Sequence, residues 1–264
     1  MSDVELAFSE NLAAFVRPDL RAQNLVRRIP EEKRAVKDII EACGVPHTEV
    51  DLIVASTGNR DDPRAVDFDW PVQTSVRLEI FGVPAPAHLL PQAPRLQVRH
   101  FSRFVADGHL GKLARNLRLL GLDTEYEQDA DDRRLLGIMG AENRALLTRD
   151  RRLLMHSIVR HGYCPRTGEP EQQTREVLFR FGLGADSGHL APYTRCLRCN
   201  ALLQPVSKSA VVDLLSDEPL TLRYYHEFRR CTGCGRVYWA GTHFGKLAAR
   251  LDRLTDLTGD QRGS

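Results

Sequence analysis

Apolar positions are spaced differently along successive parts of the chain. In the first 81 residues, Val4, Leu6 and Phe8 recur at every second position, whereas Val36, Ile39 and Ile40 recur at helical spacing. A period of two predicts a half-buried strand, and a period near 3.6 predicts an amphipathic helix. Gly44 ends the helical pattern, as glycine often does after a helix. Residues 1–81 are therefore predicted to form one small domain with the order strand, strand, helix, strand, strand.

The next segments have different compositions. Residues 82–98 contain four prolines within thirteen positions and are predicted to be a linker. From residue 99 to 188 the pattern predicts repeated strand-helix units, starting with a strand near 101–106 and a helix that Gly121 closes. Residues 189–258 carry two cysteine pairs and a final amphipathic stretch, and residues 259–264 form a polar tail that we expect to be frayed.

Composition sets limits on the class of protein. The 264 residues include 42% hydrophobic and 27% charged side chains, which is typical of a folded, soluble chain. The N-terminus lacks the pattern of a secretory signal, and no apolar run approaches the roughly 20 residues that span a bilayer. We therefore expect a cytoplasmic protein without a membrane segment, in which paired cysteines favour metal binding over disulfides.

Acidic residues follow two predicted strands in the same way. Asp107 comes directly after one strand and precedes a helix, and Asp150 does the same after the next β-α unit. In a parallel sheet these positions share one edge, where open α/β folds bind their ligands. Asp132, with Asp129 and Asp131 as close rivals, begins a helix between them. Hard carboxylate oxygens favour Mg²⁺ or Mn²⁺, which suit phosphodiester hydrolysis.

A purely structural interpretation exists for each of these residues. Aspartate is a preferred N-cap, so any one of the three acids could serve only to start a helix. Asp107 and Asp150 follow their strands in the same way, and basic side chains lie beside both in the sequence. This placement favours a catalytic, metal-binding role for the pair. Lys112, Arg115 and Arg149 are the predicted contacts to RNA phosphates, although a solvated basic face explains such clusters about equally well.

The cysteine pairs give the more specific signal. Cys196 and Cys199, and Cys231 and Cys234, form two CxxC motifs separated by 31 residues. Each CxxC turn offers two thiolates, and two turns complete a tetrahedral Zn²⁺ site of the structural type. A redox dithiol or an iron–sulfur cluster is the weaker alternative. Cys43 is predicted to be a small buried hydrophobic residue.

These motifs together resemble a known family. The run FVADGHLGKLARNLRLLGLDTEYEQDADDRRLLGIMGAENRALLTRDRRLL, followed by CLRCNALL and CTGCGRVYWAGTHF, is similar to the Mut-seven C-terminal ribonuclease family, over about residues 99–245. The resemblance implies a PIN-like α/β nuclease domain with a zinc ribbon behind it. Its acidic positions fall on Asp107 and Asp150, with Asp132 as the third. Arg151 and Arg152 stand where related sequences often carry another aspartate.

The first block also resembles a domain of this family. RRIPEEKRAVKDIIEACGVPHTEVDLIV looks like its ubiquitin-like domain, a β-grasp related to small sulfur carriers. The chain continues past this block into the proline-rich segment and offers no Gly-Gly terminus. We therefore expect the domain to dock a protein partner and not to transfer sulfur.

The sequence thus predicts a metal-dependent ribonuclease that cuts within RNA, with Asp107, Asp132 and Asp150 holding Mg²⁺ or Mn²⁺ and the four cysteines holding structural Zn²⁺. The alternative is an RNA- or ribosome-binding module in which the acidic pocket is vestigial.

Overall fold

The structure, a computed structural model, describes residues 2–20, 25–29, 34–57, 63–72, 75–184, 187–241 and 244–256. The chain forms two compact units. The first contains residues 1–99 and 148–164, and the second contains residues 100–147 and 165–263. The predicted tail, 259–264, lies outside the described residues.

The first unit is built on a mixed five-stranded sheet in the order β2-β1-β7-β4-β5. Central strands β1 and β7 are parallel, and the other pairings are antiparallel. A short antiparallel pair, β3 and β6, lies outside this sheet. This topology confirms the predicted ubiquitin-like class. Its elements are β1 (Ser2–Phe8), β2 (Leu25–Ile29), β3 (Arg34–Ala35), α1 (Val36–Ala42), β4 (Val50–Ser56), β5 (Arg64–Val66), β6 (Pro71–Val72) and β7 (Val76–Gly82).

Apart from Gly82, the last residue of β7, the proline-rich segment contains no helix or strand, and Asp51 binds it within the first unit. The Asp51 carboxylate, on β4, accepts hydrogen bonds from the amides of Ala85 (2.9 Å) and Gln97 (3.3 Å). The Asp51 carbonyl accepts a third from Leu96. Because Asp51 is only 5% exposed, one buried acid holds both ends of this loop.

The α/β part of the chain has a short parallel sheet. Strands β8, β9 and β10 lie in the order β10-β8-β9, with every pairing parallel. The helices α2 and α5 pack against each other in the second unit. The elements are β8 (Arg103–Ala106), α2 (Gly111–Leu119), β9 (Asp123–Tyr126), α3 (Asp132–Glu142), β10 (Ala145–Leu147), α4 (Arg151–Leu154), β11 (Gly162–Tyr163) and α5 (Pro170–Phe181).

Residues 148–164, which carry α4, are bound into the first unit. Arg151 donates hydrogen bonds to the carbonyls of Ala14 and Phe15, and its guanidinium lies 5.0 Å from the centre of the Phe15 ring. The buried carboxylate of Glu49 accepts a 2.8 Å bond from the Cys164 amide. The arginine at position 151 therefore has a structural task within this unit.

The last part of the second unit is an antiparallel three-stranded sheet, β12-β13-β14. A compact insertion with two 3-10 turns and α6 lies between β12 and β13. This insertion explains the long spacing between the cysteine pairs. The elements are β12 (Leu203–Val206), α6 (Pro219–Tyr224), β13 (Phe228–Cys231), β14 (Val237–Trp239) and α7 (Phe244–Thr255). Within the described part of the chain, none of the helices has the length and apolarity to cross a membrane.

Replacing Asp51 by alanine should loosen the proline-rich loop. The substitution leaves two amides without their acceptor, and an unsatisfied buried donor costs roughly 1–3 kcal/mol. We expect the free energy of unfolding, measured by urea denaturation, to fall by about 2 kcal/mol. Asp38→Ala, at an exposed position of α1, is the control and should change it only slightly. Equal losses in the two variants would contradict this role of Asp51.

Candidate metal centre and acidic sheet edge

The four predicted zinc ligands come together. The Sγ atoms of Cys196, Cys199, Cys231 and Cys234 all lie within 4.8 Å of one another. Among the described residues, this is the one group of three or more histidine, cysteine or acidic side chains with ligand atoms that close. Both turns use a left-handed residue directly after the second cysteine, Asn200 (φ +67°) and Gly235 (φ +73°). The sequence prediction of two CxxC turns that form one cluster is confirmed.

The cluster has the dimensions of a zinc site. Cys196 Sγ lies 3.7 Å from Cys234 Sγ, and Cys199 Sγ lies 3.4 Å from Cys231 Sγ. A tetrahedral zinc ion with Zn–S bonds of about 2.3 Å separates its sulfur ligands by roughly 3.8 Å. The four donors leave no open position for substrate, so the residues fit a structural Zn²⁺.

The two thiols of the first turn differ in their pKa. Burial raises the pKa of Cys196, but hydrogen bonds from the Tyr238 hydroxyl and from backbone amides outweigh it and lower the pKa to about 6. Burial and the neighbouring thiols raise the pKa of Cys199. Four thiolates at this distance repel one another, so only a bound cation allows all four to be ionised together.

The first cysteine turn is docked onto the α/β sheet, a feature that the sequence analysis missed. The Asn200 side chain accepts a bond from the Thr124 amide and donates to the carboxylates of Asp123 (2.7 Å) and Glu125 (2.8 Å). Arg118, on α2, donates to the carbonyls of Thr124, Leu197 and Arg198. Arg118 is 3% exposed, so its guanidinium is a buried structural donor, unlike the exposed Lys112 and Arg115 of the same helix.

A buried ion-pair network completes this contact. The Arg144 guanidinium, only 3% exposed, bonds to Asp123 Oδ1 at 2.6 Å and to Glu142 Oε2 at 2.7 Å. Arg195, beside the first cysteine, lies 3.3 Å from the other Asp123 oxygen. Burial raises the pKa of Asp123, but the bonds from Arg144 and Asn200 outweigh it and hold the pKa below its ordinary value. β9, a strand of the parallel sheet, therefore carries the residues that contact the four-cysteine centre.

The three acids of the predicted catalytic set lie at the ends of strands or the starts of helices in the α/β segment. Asp107 comes directly after β8, and its amide donates to the carbonyl of Leu147 at the end of β10. Its side chain accepts a long 3.4 Å bond from the His109 amide. Asp150 comes three residues after β10 and caps α4 through the amides of Arg152 and Leu153. Asp107 and Asp132 belong to the second unit and Asp150 to the first.

The start of α3 gives Asp132 a different role from Asp131, one of its two rivals in the sequence. Asp131 is the N-cap of α3, since its carboxylate accepts a 2.8 Å bond from the Arg134 amide. Asp132 is the first helical residue and is exposed, and within the described residues its carboxylate has no hydrogen bond or ion pair. The capping role that sequence reasoning allowed for Asp132 therefore belongs to Asp131.

The loop between β9 and α3 also lies against Gly108, the residue after Asp107. A Cβ atom at Gly108 would collide with the Gln128 carbonyl, and Tyr126 donates a 3.0 Å bond to the Gly108 carbonyl. The ends of β8 and β9 therefore approach each other in the second unit. The predicted RNA contacts Lys112, Arg115 and Arg149 are all exposed.

A ubiquitin-like domain, a parallel α/β domain with acids after its strands and a four-cysteine centre define the class of protein. Residues 102–251 match the model of the Mut7-C RNAse domain, and residues 1–86 match the model of the Mut7-C ubiquitin domain. The first match covers more than half of the chain, so this chain belongs to the Mut7-C RNAse domain family. No curated protein and no solved structure matches it.

Removal of one cysteine should abolish zinc binding. Cys199→Ser leaves three thiolates, which is too few for a closed structural site. We expect about one zinc per wild-type chain by elemental analysis and much less in the variant. Cys164→Ala, a buried cysteine outside the cluster, should keep its zinc. Because the ligands bind as thiolates, zinc affinity should also fall as the pH is lowered. Equal zinc contents in the two variants would refute the assignment.

Loss of Arg144 should destabilise the second unit. Arg144→Met removes the buried cation from Asp123 and from the exposed Glu142. Because Arg195 and Asn200 still bond to Asp123, we expect a loss of roughly 1.5–3 kcal/mol, as for hydrogen bonds to charged groups. Urea denaturation at neutral pH measures the loss in the free energy of unfolding. The pKa of Asp123 is lowered by folding, so its contribution is present above the ordinary aspartate range and disappears as the pH falls through the folded pKa. The difference between wild type and variant should therefore shrink in acid.

Arg134→Met is the matched control for this variant. It removes an ion pair with Glu127 that is exposed on both sides, and such pairs contribute little. A loss of stability as large as that of Arg144→Met would argue against the buried network as the main contribution.

Proposed function

We propose that this protein hydrolyses phosphodiester bonds in RNA with the help of Mg²⁺ or Mn²⁺, and that it cuts within the strand. The observation that carries the proposal is the placement of Asp107 directly after the parallel strand β8, and of Asp150 three residues after β10, in a chain of the Mut7-C RNAse domain family. The carboxyl edge of a parallel sheet is where α/β folds bind their ligands.

Asp107, Asp132 and Asp150 are the residues that would hold the cation. Their oxygen donors are of the kind that Mg²⁺ and Mn²⁺ prefer. Asp107 is half-buried, and the other two are exposed and accessible to a hydrated ion. When bound, such an ion activates water and stabilises negative charge on the phosphate oxygens. The aspartates themselves orient the attacking water and accept its proton at a carboxylate oxygen.

The exposed basic residues would hold the substrate. Lys112 and Arg115 lie on α2, which begins four residues after Asp107, and Arg149 directly precedes Asp150. Contacts from such side chains to phosphates fix the position of the strand without reading its bases. The enzyme should therefore accept many sequences, with affinity that falls as salt rises.

The ubiquitin-like domain would serve as a docking module. A protein partner bound to this domain could bring the nuclease to its RNA. The cytoplasm, where cysteines stay reduced, is the compartment in which we propose that it works.

Asparagine substitutions provide the direct test of catalysis. Asparagine caps helices as well as aspartate does, so the change removes charge and keeps the cap. We expect Asp107→Asn and Asp150→Asn to lower the rate of RNA cleavage in Mn²⁺ or Mg²⁺ by at least about a hundredfold, because a charged metal ligand is lost. Circular single-stranded RNA should be the substrate, since only an endonuclease can open it.

The neighbouring pair Asp131 and Asp132 supplies the matched control. Asp132→Asn should impair cleavage, whereas Asp131→Asn preserves the α3 cap and should cut at nearly the wild-type rate. A wild-type protein that binds RNA but never cuts it would instead favour the non-catalytic RNA-binding module. Cleavage that is the same in all variants would indicate a contaminating nuclease.

A further inference from the structure

The second unit contains a cavity of about 470 Å³ away from the acidic edge. Its walls come from the end of α2, from β12, β13 and β14, and from α7. We call it the ribbon cavity. Three half-exposed aromatic side chains, Tyr193, Tyr238 and Trp239, line it. Cavities of this size, apolar with a few polar groups, hold small organic molecules or parts of larger ligands.

Contacts within the second unit constrain the rings of Tyr238 and Trp239 and the backbone of Tyr193. The Tyr238 hydroxyl lies 3.1 Å from the zinc ligand Cys196 Sγ. The Tyr193 amide donates a 3.2 Å bond to the Leu119 carbonyl. A Cβ atom at Gly241 would lie 2.8 Å from Trp239 Nε1, so glycine leaves room for the indole there. Rings that are already positioned lose less entropy when a ligand binds. Tyr238 and Trp239 are neighbours on β14 and face opposite sides of it, so they would act as separate contacts for a base.

Two arginines at the ribbon cavity have different roles. Arg195 is engaged by Asp123 and by the carbonyls of Gly121 and Asn200. Arg229, on β13, is exposed and donates a 3.5 Å bond to the Tyr193 carbonyl. A guanidinium has five N–H donors, so Arg229 keeps several for an anion. His226 and Glu227 also border the cavity, and Glu227 offers an acceptor for an amino group.

We propose that the ribbon cavity binds one nucleotide of single-stranded RNA, with the base against its aromatic rings and a phosphate at Arg229. Aromatic rings beside basic side chains are the arrangement with which proteins hold single-stranded nucleic acid. A paired base is stacked inside its duplex and cannot enter, so the site selects unpaired RNA. This inference rests on the proposed ribonuclease function. The cavity would be a second binding site for the RNA substrate, besides the acidic residues.

Trp239 itself can report on binding. The chain has two tryptophans, so Trp70→Phe leaves Trp239 as the only one. We would make this change together with Asp107→Asn, which keeps the RNA intact, and load the protein with zinc. Titration with a single-stranded oligonucleotide should quench the Trp239 fluorescence, whereas a duplex of the same sequence should do so far less. Equal responses to both RNAs, or none to either, would overturn the proposal.

Adjacent arginines on β13 give the matched variants. Arg229→Ala should weaken binding of single-stranded RNA several-fold and reduce the salt slope by about 0.7, the value for one lost phosphate contact. Arg230→Ala, which removes an exposed arginine bonded to the Gly235 carbonyl, should bind like the parent. Tyr193→Leu should weaken binding about fivefold or more, because one stacking contact is lost. Zinc content and circular dichroism confirm the fold of each variant.

The two proposals fail in different ways. Equal binding by the Arg229 and Arg230 variants would overturn the ribbon cavity as an RNA site, even if the wild type cuts RNA through its aspartates. Selective loss of binding in Arg229→Ala and Tyr193→Leu would support the cavity, even if no divalent ion ever produces cleavage.

Discussion

The cluster of four cysteine thiolates is the constraint on which the second unit depends. Its sulfur atoms lie too close together for all four to be ionised at once without a cation, and a bound zinc ion would convert that repulsion into a fixed tetrahedral centre. Asn200, in the left-handed conformation that the first turn requires, then directs its amide group at β9. The metal centre thereby determines where the parallel sheet and the ribbon meet.

Strand β9 joins this centre to the proposed catalytic edge. Its first residues, Asp123 and Thr124, bind Asn200, and its last residue, Tyr126, bonds to Gly108 beside Asp107. The contacts at the two ends of this four-residue strand thus place the cysteine turn and the Gly108 backbone on one element. The ribbon is then part of the framework of the α/β domain. The ribbon cavity, whose Tyr238 touches a zinc ligand, depends on the same centre.

Local signals in the sequence predicted much of this arrangement. Gly44 and Gly121 mark the ends of helices because both adopt the left-handed conformation there, with φ of +95° and +85°. The CxxC spacing predicted the cysteine cluster, since the chemistry of the ligand set is local to each turn. The fold class followed from apolar periodicity together with the family resemblance.

The features that sequence could not predict depend on contacts between distant residues. Arg118 is buried, although arginine is usually exposed, because carbonyls about 80 residues away along the chain accept its hydrogen bonds. The sequence alone does not distinguish Asp131 from Asp132 as the cap. The position of the first turn of α3 makes Asp131 the N-cap. The segment 148–164 interrupts the α/β pattern yet packs with the first unit through Arg151 and Glu49.

We propose that the acids after the parallel strands hold a divalent cation. Electron paramagnetic resonance of Mn²⁺ added to the zinc-loaded protein tests this binding without any RNA. We expect a bound Mn²⁺ in wild type and in Asp131→Asn, with weakened binding in Asp107→Asn and Asp132→Asn. Mn²⁺ binding that is absent from wild type, or unchanged in all three variants, would contradict it.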